Sequence, residues 1–117
     1  MKPSQFLNLY VLHDSFVEDI KYLINEDKLE LVIELCNWKQ KFYTDTEPEM
    51  AKYKLVFKGV SKFEAIPNTL VDYDDILEVE LLSSEMNNET VKFVLKGEED
   101  VKILTVQAAE VDFIKLD

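Results

Sequence analysis

Arginine is missing from this chain; all 13 basic side chains are lysines. Arg supplies the planar fork that grips phosphates and base edges at two points. Its absence, together with 24 acidic residues and a net charge of −11, argues against nucleic-acid binding, because counterion release would oppose association. Cysteine is equally scarce. Cys36 is the only one, so no internal disulfide forms, which fits a reducing cytoplasm. His13, the single histidine, stands 23 positions from Cys36, and the two do not make a zinc site of the common kind. Gly59 and Gly97, 38 positions apart, build no glycine-rich phosphate loop. Long apolar runs are lacking too: Leu31-Val32-Ile33 is broken at once by Glu34, far short of the ~20 residues a membrane helix requires. Met1 to Phe6 lead into no extended apolar stretch, so no signal peptide is expected. No metal, cofactor or membrane partner is expected, and a cytoplasmic location is.

What is abundant is apolar side chain in alternation. Hydrophobic residues make up 47% of the chain, with 7 Phe and 5 Tyr. A chain of 117 residues buries about two-thirds of its unfolded surface, so one domain over residues 1–117 is expected. Residues 3–12 read as a short helix or an irregular lead-in. Phe16 to Ile24 reads as a strand and Asn25 to Lys28 as a turn. Leu29, Leu31, Ile33 and Leu35 then alternate with Glu30, Val32 and Glu34, the period-2 signature of a half-buried strand. Apolar residues continue out of phase at Cys36, Trp38 and Phe42, which predicts a bulge or bend in a continuing strand.

The same rhythm recurs at Tyr53–Leu55–Phe57, at Leu77–Val79–Leu81 and at Val91–Phe93–Leu95. Gly59 ends or bulges one strand, Val60 to Ile66 continues the sheet, and Pro67-Asn68 makes a turn. Gly97 to Asp100 closes a hairpin. Val101 to Val106 and Val111 to Leu116 form one long bent strand or two short ones, broken near Ala108-Ala109. Seven to nine strands at short spacing, with at most one or two short helices, predict an all-β fold. It would be a single antiparallel β-sandwich or partly open barrel.

Chemistry-bearing residues are few. His13-Asp14-Ser15 contains the three residue types of a hydrolytic triad. Triad members, however, converge from distant sequence positions, whereas neighbours on an extended chain point in alternating directions. Asp14 and Ser15 are read instead as a turn before a strand, and His13 as a packing or structural hydrogen-bonding residue; no catalytic residue is assigned. Asp72-Tyr73-Asp74-Asp75 is dense in carboxylates but lacks the glycine and closing Glu of a calcium loop, so a solvated acidic turn is expected. Nothing selects a carboxylate pair for glycoside chemistry.

Charge is unevenly distributed. Eight acids (Glu64, Asp72, Asp74, Asp75, Glu78, Glu80, Glu85 and Glu89) occupy a span from Phe63 to Val91 that holds no lysine, whereas Lys39 to Lys62 carries six lysines against three acids. If the strand bearing Glu78 and Glu80 pairs with the one bearing Lys52 to Lys58, the charges attract across the sheet. If it does not, Asp72, Asp74, Asp75, Glu78 and Glu80 are candidates for a surface steering a basic partner. Trp38 is read first as core and second as a contact residue of that surface.

Leu12-His13-Asp14-Ser15, followed by a hairpin whose second strand carries Leu29-Glu30-Leu31-Val32-Ile33, resembles small bacterial β-proteins that begin with an L-H-D-[S/A] motif. Some of these are assigned as immunity proteins to polymorphic toxins. The resemblance covers about the first 35 residues. It departs after the serine, where Phe16-Val17 stands in place of an acidic–aliphatic pair and Glu18 is displaced. It implies a β-rich fold and a cytoplasmic, non-catalytic role, with His13 and Asp14 as marker residues. The reading that follows is a non-enzymatic binding protein, in its most specific form one that neutralises a basic toxin through an acidic face. The alternatives are a small-ligand binder or enzyme with its site in a barrel mouth, and a structural subunit that dimerises by sheet pairing.

Overall fold

Alternation becomes strand along most of the chain. The computed structural model describes residues 1–68, 71–98 and 100–116. Among these lie one helix, α1 (Pro3–Leu9), and eight strands: β1 (Phe16–Leu23), β2 (Lys28–Cys36), β3 (Met50–Lys58), β4 (Lys62–Ile66), β5 (Asp74–Ser84), β6 (Glu89–Lys96), β7 (Val101–Ala108) and β8 (Glu110–Lys115). Single 3-10 turns occupy Ile24–Glu26 and Asn37–Lys39. Every pairing is antiparallel, in one sheet of order β4-β7-β6-β5-β1-β2-β3-β8 that does not close into a barrel. Glu99, in the turn expected at Gly97 to Asp100, lies outside the described residues.

The sheet bends over on itself at two places. At its centre β1 pairs with β2 along its length but meets β5 only at Phe16–Asp75 and Val17–Asp74. Elsewhere β3 runs into β4 and β7 into β8, and the two paired chains turn one corner together. The Ala109 amide donates to the Lys58 carbonyl at 3.0 Å and the Ser61 amide to the Gln107 carbonyl at 2.9 Å. The half β1-β2-β3-β8 thereby folds onto the half β5-β6-β7-β4. Phe57 of β3 and Phe93 of β6 meet edge to face across the interior at 6.2 Å, among the leucines and isoleucine of β2.

Gly59 makes that corner possible. Its φ is +62°, and a Cβ there would stand 3.0 Å from the Cβ of Ala109. An L side chain at this site meets both a left-handed backbone and a neighbour with little room to yield. Gly59→Ala is expected to destabilise by about 1–3 kcal/mol, read as a lowered urea midpoint with unchanged slope.

Helix α1 is only 7 residues long, too short to persist alone, and is held by what surrounds it. Pro3 sits at its first position, where a missing N–H is harmless. The Gln5 side chain accepts from the Lys2 amide at 2.8 Å, and Glu89 of β6 accepts from the Ser4 amide at 2.8 Å. Glu89 is buried and also accepts from the Ser84 hydroxyl at 2.5 Å. Burial pushes its carboxyl up, but the Ser84 and Ser4 hydrogen bonds outweigh that and hold it below the ordinary value of 4.5. A depressed folded-state value means that the ionised form stabilises the fold above the unfolded pKa. That contribution is lost as pH falls through the folded value. Glu89→Gln is therefore expected to flatten the dependence of stability on pH below about pH 4.5 while lowering stability at pH 7. Urea titrations at several pH values read both effects.

Three expectations from the sequence need correction here. The strand does not continue past Leu35 to Phe42: β2 ends at Cys36. Asn37 ends it by donating its amide to Glu49 and its side chain to Pro48, so local polar groups take up what a ladder would otherwise need. Trp38 is not core, being 53% exposed. In β5 the inward residue is Ile76 and not Leu77, because an extra residue at Leu77 shifts the register; Val79 and Leu81 then share the inward face opposite Phe93 and Val91.

Candidate interaction site

Leu12 to Ser15 cross the bulge of β5 as a tight turn. Asp14 takes φ 68°, a conformation aspartate tolerates. Its amide donates to the Ile76 carbonyl at 3.1 Å, and the Ile76 amide donates to the Ser15 carbonyl at 2.8 Å. Ser15 is fully buried, and its hydroxyl accepts from the Cys36 amide at 2.9 Å. His13 points the other way, into solvent, and its Nδ1–H donates to the Leu77 carbonyl at 2.7 Å. The three residues are therefore a clamp tying β5 to the end of β2, and the serine faces away from the imidazole. The structural reading of the triplet accounts for all three side chains.

A second set of contacts fixes what lies beside it. The buried Gln40 side chain accepts from the Val11 amide at 2.8 Å and donates to the carbonyls of Val11 at 2.6 Å and Cys36 at 3.0 Å. Lys39 donates to Asp14 at 2.7 Å while its ammonium lies 5.3 Å from the centre of the Trp38 ring. This hydrogen bond holds the Asp14 carboxyl below the usual range. Tyr10 packs its ring against Phe42 at 6.0 Å.

The result is an exposed apolar patch of Val11, Trp38 and Phe42, edged by His13, Asp14 and Lys39. Next to it a groove of about 340 Å³ runs between Leu7 and Tyr10–His13 on one wall and Leu77, Glu78 and Val79 on the other. Gln40 and Lys39, which position the patch, carry no motif that a sequence reading recognises. The only hint is a polar pair following an apolar strand.

The acidic candidates separate. Asp72, Glu78 and Glu80 are exposed and Asp75 is half-buried. Asp74 is buried and paired with Lys102 at 2.7 Å, so it belongs to no acidic surface, and the acidic turn is not wholly solvated. The acidic and basic strands do not pair. β5 lies beside β6, where Lys92 answers Glu80 at 3.5 Å. The lysines of β3 are answered instead by Glu18, Glu30 and Asp112. Of the acids proposed for partner binding, Glu78 is the one that lines the groove with His13; His13 is followed by Asp14, which Lys39 bonds beside Trp38. Beside Asp72, Tyr73 stacks on Phe16 at 4.8 Å; its hydrogen bond to Glu34 and burial push its hydroxyl up to about 12.

Compared with protein-family models, curated proteins and solved structures, the chain matches none. Its chemistry is read from the residues alone. Among the described residues, no three His, Cys, Asp or Glu side chains gather closely enough to hold a metal ion. No helix among them is long and apolar enough to cross a membrane. Burial pushes the Cys36 thiol up, away from the thiolate that reactive cysteines use. What the site offers is an aromatic anchor, apolar neighbours and a charged margin, the composition of a protein contact surface.

Proposed function

We propose that this chain is a non-enzymatic binding protein that captures a basic protein partner, and that the capture neutralises it in the manner of an immunity protein. One observation carries the reading: the single tryptophan stands 53% exposed, held there by Lys39 and Asp14 beside the groove that Glu78 lines. A Trp left in water and steadied by a charge pair serves little purpose in the fold, whereas Trp is enriched among residues that dominate binding energy. The net charge of −11 supports a basic partner, since such a field accelerates encounter and falls off with salt. The tetrapeptide Leu12 to Ser15 adds the immunity-type form of the proposal.

A second cleft, of about 230 Å³ between Ile20, Tyr22, Phe63, Val71 and Leu104, favours a small ligand less strongly. It is below the ~300 Å³ at which ligand pockets usually begin.

The protein encoded beside this one is the partner to test. Trp38→Ala is expected to weaken its binding by about 2 kcal/mol, roughly thirtyfold, with no change in the urea midpoint. Glu78→Lys with Glu80→Lys is expected to slow association and reduce its salt dependence. Binding that survives both sets of substitutions unchanged sinks the proposal, as does the absence of binding by the wild-type chain.

A further inference from the structure

The edge of β5 that faces away from β6 is left open. β6 covers β5 from Asp75 to Ser84. On the other side β1 pairs only through Val17–Asp74 and Phe16–Asp75, and it begins at Phe16, so it does not reach past Asp75. Ile76 is taken up by Asp14 and Ser15, and Leu77 by the His13 ring. From Glu78 onward no strand of the described residues pairs with that edge. The comparable edge of β8 is treated differently: Met1 exchanges hydrogen bonds with Val111 and covers it. A row of unpaired N–H and C=O groups is a template for another strand.

We infer that this edge of β5, from Glu78 to Leu81, accepts an extended segment of a basic protein as an added strand, seated in the groove beside α1. The inference deepens the proposed capture of a basic partner and rests on that reading. Side chains decide the kind of segment. Glu78 and Glu80 are two apart and both exposed, so they stand on the solvent side of the strand. Val79 turns inward, toward the groove it shares with Leu7 and Tyr10. A segment alternating lysine with an aliphatic residue sets its ammonium groups across from the carboxylates and its apolar side chains over Val79. Cross-strand pairs of both kinds are favourable. Main-chain bonds then supply affinity and the alternating pockets supply selectivity.

A second copy of this chain fits the same edge badly. Antiparallel self-pairing centred on Val79 sets Glu78 against Glu80, and pairing centred on Glu80 sets it against itself. Like charges directly opposite are destabilising, and each chain brings −11. A register irregularity between Leu81 and Ser83 limits the regular edge to about one short ladder, as is common where a strand must resist unwanted pairing.

The test uses a capped octapeptide of alternating lysine and valine, and the same octapeptide with every backbone amide N-methylated. Charge and side chains are identical, but only the first can complete a ladder. The first is expected to bind at least tenfold more tightly at low salt, and to slow hydrogen exchange at amides within Glu78 to Ser84. Equal affinity of the two peptides, binding by neither, or protection confined to other strands overturns strand addition. The outcomes separate this inference from the reading beneath it. If both peptides bind equally and Glu78→Lys with Glu80→Lys weakens both, capture by the acidic surface stands and the added strand falls. If the unmodified peptide protects β5 while Trp38→Ala leaves the natural partner's affinity unchanged, the strand site stands and the role of Trp38 falls.

Discussion

Lys102→Met is expected to destabilise the protein by about 3–5 kcal/mol, among the largest losses open to a single substitution here. In β7, Lys102 occupies the inward set with Leu104, Val106 and Ala108, where an apolar side chain is the rule. Its ammonium lies 2.7 Å from Asp74, and the two side chains are only 6% and 3% exposed. Removing the lysine leaves a carboxylate in the interior, where the Asp72 amide is a long contact at 3.3 Å. A buried charge without its partner loses hydration and gains little in exchange. The double variant Asp74→Leu with Lys102→Met removes both charges, and is expected to recover most of the loss, because well-packed apolar pairs replace buried ion pairs at little or no net cost. Urea unfolding of the two single variants and the double variant measures the coupling. A Lys102→Met loss under 1 kcal/mol, or a double variant no better than the singles, shows that the pair is not desolvated as described.

That pair also marks a limit of what the sequence discloses. Lys102 reads as one more lysine of a polar strand, and Asp74 as one of three carboxylates in a turn. Nothing local says that β5 and β7, separated by β6, bring these two charges together. The strands themselves were legible because period-2 alternation is written into adjacent residues: Leu29 to Leu35, Tyr53 to Phe57 and Val91 to Leu95 all point their apolar set inward.

The failures came where polar side chains competed with the backbone ladder or where one residue was inserted. Asn37 and Gln40 end β2 through bonds to residues 11 and 48, which periodicity does not see. The extra residue at Leu77 moves the inward position to Ile76. The sequence reads Trp38 first as core because an indole is mostly apolar. Trp38 stands exposed in the Asn37–Lys39 turn, beside a lysine that bonds Asp14, a residue 25 positions away. His13 and Glu78 each stand out in the sequence, but their meeting at one groove is a product of the β5 bulge and not of any spacing.

Phe6→Ala is the other substitution expected to remove about 3–5 kcal/mol, and its consequence should be local first. Phe6 is 1% exposed and lies in a chain of rings, 4.9 Å from Phe113 and 5.1 Å from Tyr10; Phe113 in turn stacks on Tyr53 at 4.3 Å. A helix of two turns has no stability of its own, so α1 keeps its place through this ring and through the Ser4–Glu89 bond. With the ring gone, α1 and the segment leading to His13 lose their seat, and with them goes the wall that faces β5 across the groove. Amides of α1 are then expected to exchange quickly while those of β2 and β6 stay protected, and partner affinity to fall with them. Leu9, on the same helix but largely in solvent, supplies the control: Leu9→Ala should leave exchange and stability within about 0.5 kcal/mol of the wild type. If instead β2 and β6 open together with α1 in the Phe6 variant, the helix is part of the single folding core. The groove wall is then as rigid as the sheet, and a partner strand has to enter a space that does not widen.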